Sequence, residues 1–176
     1  ADLARILRVV AEADRWRPWR ALNRRFIVVE GLYANSGLVC PLPEVVRLAK
    51  EHKFRVFLEE SMSFGVLGAS GRGACEHHGV SVCDVTITSA SMSTALATIG
   101  GFAVSDRAIA SRQRLSSAGY CFSASLPQFN AVAGSAALAK LRAEWWVAAD
   151  ARKAGDASSS YLRSSVDTLQ RYPARI

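Results

Sequence analysis

Two adjacent carboxylates, Glu59 and Glu60, close an apolar run, and a glycine-studded segment follows them at once, from Ser63 through Gly65, Gly68 and Gly71 to Gly73. Carboxylates at the end of a strand can face a ligand site, but the bare pattern reads as a solvated strand end. The glycine segment has backbone N–H groups that suit phosphate, yet its spacing matches neither the Walker nor the dinucleotide pattern, so a tight structural turn is expected. Carbonyl chemistry through a Schiff base needs an amine. From Phe54 through Ala139 there is no lysine, although with four lysines in the chain roughly two would be expected there by composition. Cys75, His77, His78 and Cys83 lack paired CxxC or HxxxH spacing, and no metal site is expected.

The elements that must position these groups can be read from periodicity. Leu3, Ile6, Leu7 and Val10 recur at helical spacing, which predicts an amphipathic helix over 2–14. Phe26 to Val29 is a continuous apolar run and reads as a strand buried on both faces. Pro43 suits the first turn of a helix carrying Val45, Val46, Leu48 and Ala49, which leads to a second strand, Phe54 to Leu58. That is one βαβ unit. A third strand is expected at Asp84 to Thr88 and a fourth at Gly101 to Ser105. Only about a dozen residues separate them, too few for a parallel crossover, so the fourth should run antiparallel to the third. Helices are expected over Asp106 to Leu115 and Pro127 to about Lys153, then a linker from Gly155 to Ser160 and a last helix from Tyr161 to about Arg171. In such an α/β sheet, ligands gather at the carboxyl ends of the strands. Glu59, Glu60, the glycine segment and the Ser91 to Ile99 connection all lie there.

The chain has 176 residues, half of them hydrophobic and 21% charged, which suits one globular domain with a real core and argues against disorder. The net charge of +7 comes mostly from dispersed arginine, apart from one cluster: Arg15, Arg17 and Arg20 interleaved with Trp16 and Trp19, then Arg24 and Arg25. A solvated connection between helix and strand is the simplest reading of that cluster. Docking on anionic headgroups or on nucleic acid is the rival reading, because Arg beside Trp suits both. Cys40, Cys75, Cys83 and Cys121 form no CxxC pair and are expected to be reduced, buried and intracellular. No apolar run reaches the ~18 residues of a transmembrane helix, and the absence of an initial Met suggests a segment cut from something longer.

Several segments carry a resemblance. They are Arg24 to Tyr33, Leu58 to Gly68, Gly71-Arg72-Gly73, Ile99 to Phe102, Gln113 to Ser116, and Tyr120-Cys121-Phe122-Ser123-Ala124-Ser125-Leu126-Pro127. In this order they resemble the α-oxoamine synthases, and within them the first-subunit branch of the serine palmitoyltransferases, from Ala1 to about Leu141. The resemblance implies an α/β fold, part of the large domain of the PLP-dependent transferases (fold type I), with a mixed, mostly parallel sheet and flanking helices. Residues 1–154 are expected to be that partial domain, and 155–176 a linker and the start of a truncated small C-terminal domain.

Active members of the family bind pyridoxal phosphate (PLP) through a lysine. They place an Asp against the pyridine nitrogen and a His three residues later against the phenolic oxygen. The resemblance puts Glu59 at the Asp position, Met62 at the His position and Thr94, six residues before Gly100, at the Schiff-base lysine position. Threonine has no amine, and a thioether cannot replace an imidazole hydrogen bond. No catalytic residue is therefore expected on this chain. Glu59 is expected to be a vestigial pyridine-nitrogen carboxylate. Ser91 stands where the family keeps a phosphate-binding hydroxyl, and Ser123 and Ser125 match hydroxyls offered to the PLP phosphate across a subunit interface, or serve as turn residues.

The implied function is that of a non-catalytic subunit. A lysine-bearing second subunit would hold PLP, and the heterodimer would condense L-serine with a long-chain acyl-CoA to 3-ketosphinganine on the cytosolic face of the endoplasmic reticulum membrane. An anionic membrane surface is a further expected partner and nucleic acid is not. Two alternatives stand beside it: an active PLP-dependent α-oxoamine synthase, and a basic module that binds membrane or nucleic acid.

Overall fold

The computed structural model describes residues 2–16, 19 and 23–153. Arg17 and Arg20 of the basic cluster, the boundary expected at 154/155 and the expected final helix lie outside them. The amphipathic repeat at the start forms α1 (Asp2–Arg15), which buries Leu7 against the core. Its last turn is tied to the sheet by Asp14, whose carboxylate accepts two hydrogen bonds from the Arg25 guanidinium just before β1 (Phe26–Glu30).

The expected βαβ unit is present. Helix α2 (Leu42–Glu51) carries Pro43 in its first turn, where the missing N–H is no loss, and leads into β2 (Arg55–Glu59). β2 lies parallel to β1, with Phe26 opposite Arg55 and Glu30 opposite Glu59. A short helix, α3 (Ala74–His78), follows the glycine segment. Strand β3 (Ile87–Ser91) is parallel to β2, and β4 (Gly101–Ser105) is antiparallel to β3, as the short connection requires. The four strands follow one another in the order β1-β2-β3-β4. Helix α4 (Arg107–Ser116) starts at Asp106, whose carboxylate accepts from the Ile109 N–H at 2.8 Å. A turn of helix, α5 (Ala118–Cys121), and the long α6 (Gln128–Lys153) complete the described chain.

The core lies on one face of the sheet. Ile27, Val56 and Leu58 meet Leu42, Val45, Val46, Leu48 and Ala49 of α2, together with Ala74 and Cys75 of α3. Three expectations need correction here. β1 is not buried on both faces: Phe26 is 41% and Val28 67% exposed, because the packing helices cover only the Ile27 side. β3 begins three residues later than the apolar run suggested, since Val82–Asp84 is held as a 3₁₀ turn by the Ser81 hydroxyl, which accepts from the Cys83 N–H. The cysteines divide: Cys40 and Cys75 are buried, while Cys83 and Cys121 are exposed, and all four are free thiols. Burial pushes the Cys75 thiol up to about 11, so it is a packing residue and not a thiolate nucleophile.

Candidate functional site at the carboxyl ends of β2 and β3

Glu59 and Glu60 are neighbours in sequence with opposite fates. The Glu60 side chain is 4% exposed, which corrects its reading as a solvated strand end. Its carboxylate accepts the Ser63 hydroxyl and the Ala74 N–H at 3.0–3.1 Å, closing the N-terminus of α3. Gly73, at φ +88°, makes the approach possible, because a Cβ there would lie 2.3 Å from Glu60 Oε2. The glycine segment is thus a structural turn, locked at its other end by Glu76, whose carboxylate accepts the Ser70 N–H and hydroxyl and the Arg72 N–H.

Burial raises the Glu60 carboxyl above its usual range, while hydrogen bonds from Ser63 and the N–H groups of Ala74 and Cys75 pull it part of the way back. A carboxyl whose folded pKa is raised gives stability that is full below its unfolded pKa and lost as pH rises through the folded value. Relative to wild type, Glu60→Gln is therefore expected to gain stability as pH rises from about 4 to 8. Chemical denaturation of both proteins across that range checks it.

Glu59 turns instead toward a hydrogen-bonded knot centred on Ser61. The Ser61 N–H and hydroxyl both donate to the Glu59 carboxylate, the N–H at 3.0 Å. The Ser91 N–H donates to Ser61 Oγ at 2.6 Å, and the Thr94 hydroxyl donates to the Ser61 carbonyl. Ser91 Oγ lies 2.7 Å from Ser93 Oγ and accepts from the Ser93 N–H at 3.1 Å. Three of the anticipated positions, Glu59, Ser91 and Thr94, are brought together, and Met62, the residue after Ser61, has 39% of its surface exposed. Ser61 was the residue that sequence reasoning missed, although its place between Glu59 and Met62 was the available signal. Ser61→Ala is expected to cost about 1–3 kcal/mol, because the Ser91 N–H loses its acceptor and the Glu59 carboxylate a donor; a shifted urea midpoint measures this.

The glycine segment packs on the 91–99 connection: a Cβ on Gly65 would meet Ala95 Cβ at 2.7 Å, and Phe64 meets Phe102 edge-on at 5.5 Å. Thr98, buried beneath, places its hydroxyl 3.3 Å from Asn130 Oδ1 on α6. Ser123 and Ser125 are not part of the knot. Both are solvent-exposed in the segment between α5 and α6, which reaches the connection through Leu126, packed against Gly100.

The family model for aminotransferase class I and II matches residues 2–171. The chain belongs to the class I and II aminotransferases. Within that family it is 48% identical over 137 residues to long chain base biosynthesis protein 1c of Oryza sativa subsp. japonica, covering 78% of this chain and 28% of the relative. It is 42% identical over 134 residues to serine palmitoyltransferase 1 of Saccharomyces cerevisiae, covering 76% and 24%. Among solved structures, the Sphingomonas wittichii serine palmitoyltransferase aligns with a TM-score of 0.65 at 32% identity, over 72% of this chain and 33% of that one. A high-resolution structure of SPT with PLP aligns at 0.64 and 31%, over 72% and 33%. The chain spans about a quarter to a third of these proteins' lengths.

The sheet of this aminotransferase class I and II member is part of the fold type I large domain, mixed and mostly parallel, with flanking helices. Its residues do not fit a covalently held PLP. The loop expected to carry a Schiff-base lysine offers the Thr94 hydroxyl, already donated to the Ser61 carbonyl, and the Glu59 carboxylate is taken up by the N–H and hydroxyl of the same serine. Met62 supplies only a thioether. Lys53, in the turn after α2, and Lys140, on α6, both lie outside the knot. Among the described residues no group of three His, Cys, Asp or Glu side chains is placed to hold a metal, and no helix is long and apolar enough to cross a membrane.

Proposed function

We propose that this chain is part of the non-catalytic subunit of a serine C-palmitoyltransferase. Paired with a lysine-bearing second subunit that holds PLP, it serves the condensation of L-serine with a long-chain acyl-CoA to 3-ketosphinganine, with release of carbon dioxide and CoA. The observation that carries this reading is Thr94. At the carboxyl ends of the parallel strands, in the position that the resemblance assigns to the cofactor amine, the Thr94 hydroxyl donates to the Ser61 carbonyl. The similarity to serine palmitoyltransferase 1 and to long chain base biosynthesis protein 1c supports the substrate class.

The chain's own contribution is structural and positional. The Ser61 knot and the buried Glu60 hold the loop that would face the shared site, and exposed Ser123 and Ser125 are available as phosphate contacts for the partner's cofactor. Large apolar side chains on the same stretch, Tyr120 (64% exposed), Phe122 (89%) and Phe129 (71%), fit burial against that partner. Residues 1–154 act as part of the large domain and 155–176 lead toward the small one. The complex belongs on the cytosolic face of the endoplasmic reticulum membrane.

The test is co-purification of the full-length protein with a PLP-binding partner, followed by assay of each subunit alone and of the pair. Turnover by the pair and background from this subunit alone is the expected result. Turnover by this subunit alone restores the active-synthase reading.

A further inference from the structure

The end of the sheet opposite the Ser61 knot carries a second feature, one that the subunit role does not use. Two open depressions of about 280 and 440 Å³ adjoin there and share Arg24, Arg55, Ile109 and Arg112 among their lining residues. These residues come from three places: Arg24 precedes β1, Arg55 begins β2, and Ile109 and Arg112 lie on α4. The parallel register that sets Phe26 opposite Arg55 brings the first two arginines to one edge, and α4, returning after β4, supplies the third.

None of the three guanidinium groups has an ion-pair partner among the described residues. The one carboxylate in the lining, Asp106, already accepts the Ile109 N–H as the cap of α4. Three positive charges thus adjoin one carboxylate that is engaged as a helix cap, a local excess of positive charge that an anion would offset. Arg5 is paired with Asp2, and Arg47 with Glu44 and Glu51.

The smaller depression adds an apolar floor, with Phe26, Ile87 and Ile109 between the arginines. Planar guanidinium forks recognise phosphate oxygens in bidentate fashion, and a hydrocarbon portion would rest on the floor. We infer that this edge binds the phosphate group of an anionic amphiphile, with Arg24, Arg55 and Arg112 on the phosphate and Phe26, Ile87 and Ile109 under the hydrocarbon.

The test uses the purified full-length protein with its partner and reads binding, not turnover, so its failure leaves the subunit reading standing. Calorimetric titrations would use monomeric dihexanoyl phosphatidic acid, dihexanoyl phosphatidylcholine and inorganic phosphate. Saturable, salt-sensitive binding of the phosphatidic acid is expected, with weaker binding of inorganic phosphate and none of the zwitterionic lipid. Arg112→Gln alone is expected to weaken it about tenfold or more, and Arg24→Gln/Arg55→Gln/Arg112→Gln to abolish it. Arg47→Gln, which removes the same charge from an ion-paired site, should leave it unchanged; retained pairing with the partner subunit confirms that the variants fold. Absence of saturable binding, indifference to the arginine substitutions, or an equal loss in Arg47→Gln would overturn the proposal. Equal affinity for inorganic phosphate would remove the hydrocarbon part.

Discussion

Replacing Gly73 with alanine is expected to destabilise the protein by about 3–5 kcal/mol, the largest single-site effect in the glycine segment. Two independent causes add. The backbone sits at φ +88° and ψ −160°, a region that is essentially closed to residues with a Cβ. The new methyl would also fall 2.3 Å from Oε2 and 2.8 Å from Oε1 of Glu60, so the buried carboxylate must leave the Ser63 hydroxyl and the Ala74 N–H. Gly79 separates the two causes. It also has a positive φ, +66°, but open space where a Cβ would stand, so Gly79→Ala carries the backbone strain alone, about 1 kcal/mol. Urea titrations of both variants beside wild type give the comparison, and similar losses in the two would mean that the Glu60 contact is energetically unimportant.

A lysine introduced at position 94 is expected not to confer catalysis. In a pair whose partner has lost its Schiff-base lysine, adding Thr94→Lys to this chain should leave turnover at least about 10²-fold below the wild-type pair. The amine would arrive where its neighbours are unsuited to it. Glu59 is engaged by the Ser61 N–H and hydroxyl, and Met62 offers no hydrogen bond in place of an imidazole. The substitution also removes the hydroxyl that ties the loop to the Ser61 carbonyl. Steady-state turnover of the two purified pairs checks this, and recovery to within tenfold of wild type would mean that the altered site remains competent.

The parts of the fold that were legible in the sequence are those fixed by period and chain length. The βαβ unit followed from an apolar run, a helical repeat and Pro43. The antiparallel direction of β4 followed from a connection too short for a crossover. The start of β3 was placed at Asp84 because the apolar run reads on from Val85, whereas the Ser81 cap that holds Val82–Asp84 as a 3₁₀ turn is a local hydrogen bond that hydrophobicity does not register.

At the site, the family resemblance singles out positions 59, 62 and 94, but not the way their side chains are satisfied. Glu59 and Glu60 are the same residue type in adjacent places, and only the fold decides that one turns to Ser61 and the other is enclosed by Gly73 and Ala74. Ser61 escaped notice because half of its role is played by backbone atoms, which every residue has. The Arg24, Arg55 and Arg112 groove was equally hidden, since its members are far apart in sequence and meet only through strand register and the return of α4.

The central claim is that the cofactor amine of the working enzyme lies on the other subunit. Borohydride reduction of the purified full-length pair in the presence of PLP, followed by peptide mapping, tests it most directly. The predicted result is a single stoichiometric pyridoxyl-lysine on the partner and none on this chain, with the 54–139 segment recovered unmodified. A stoichiometric adduct at one defined lysine of this subunit, accompanied by turnover in the partner's absence, would contradict it.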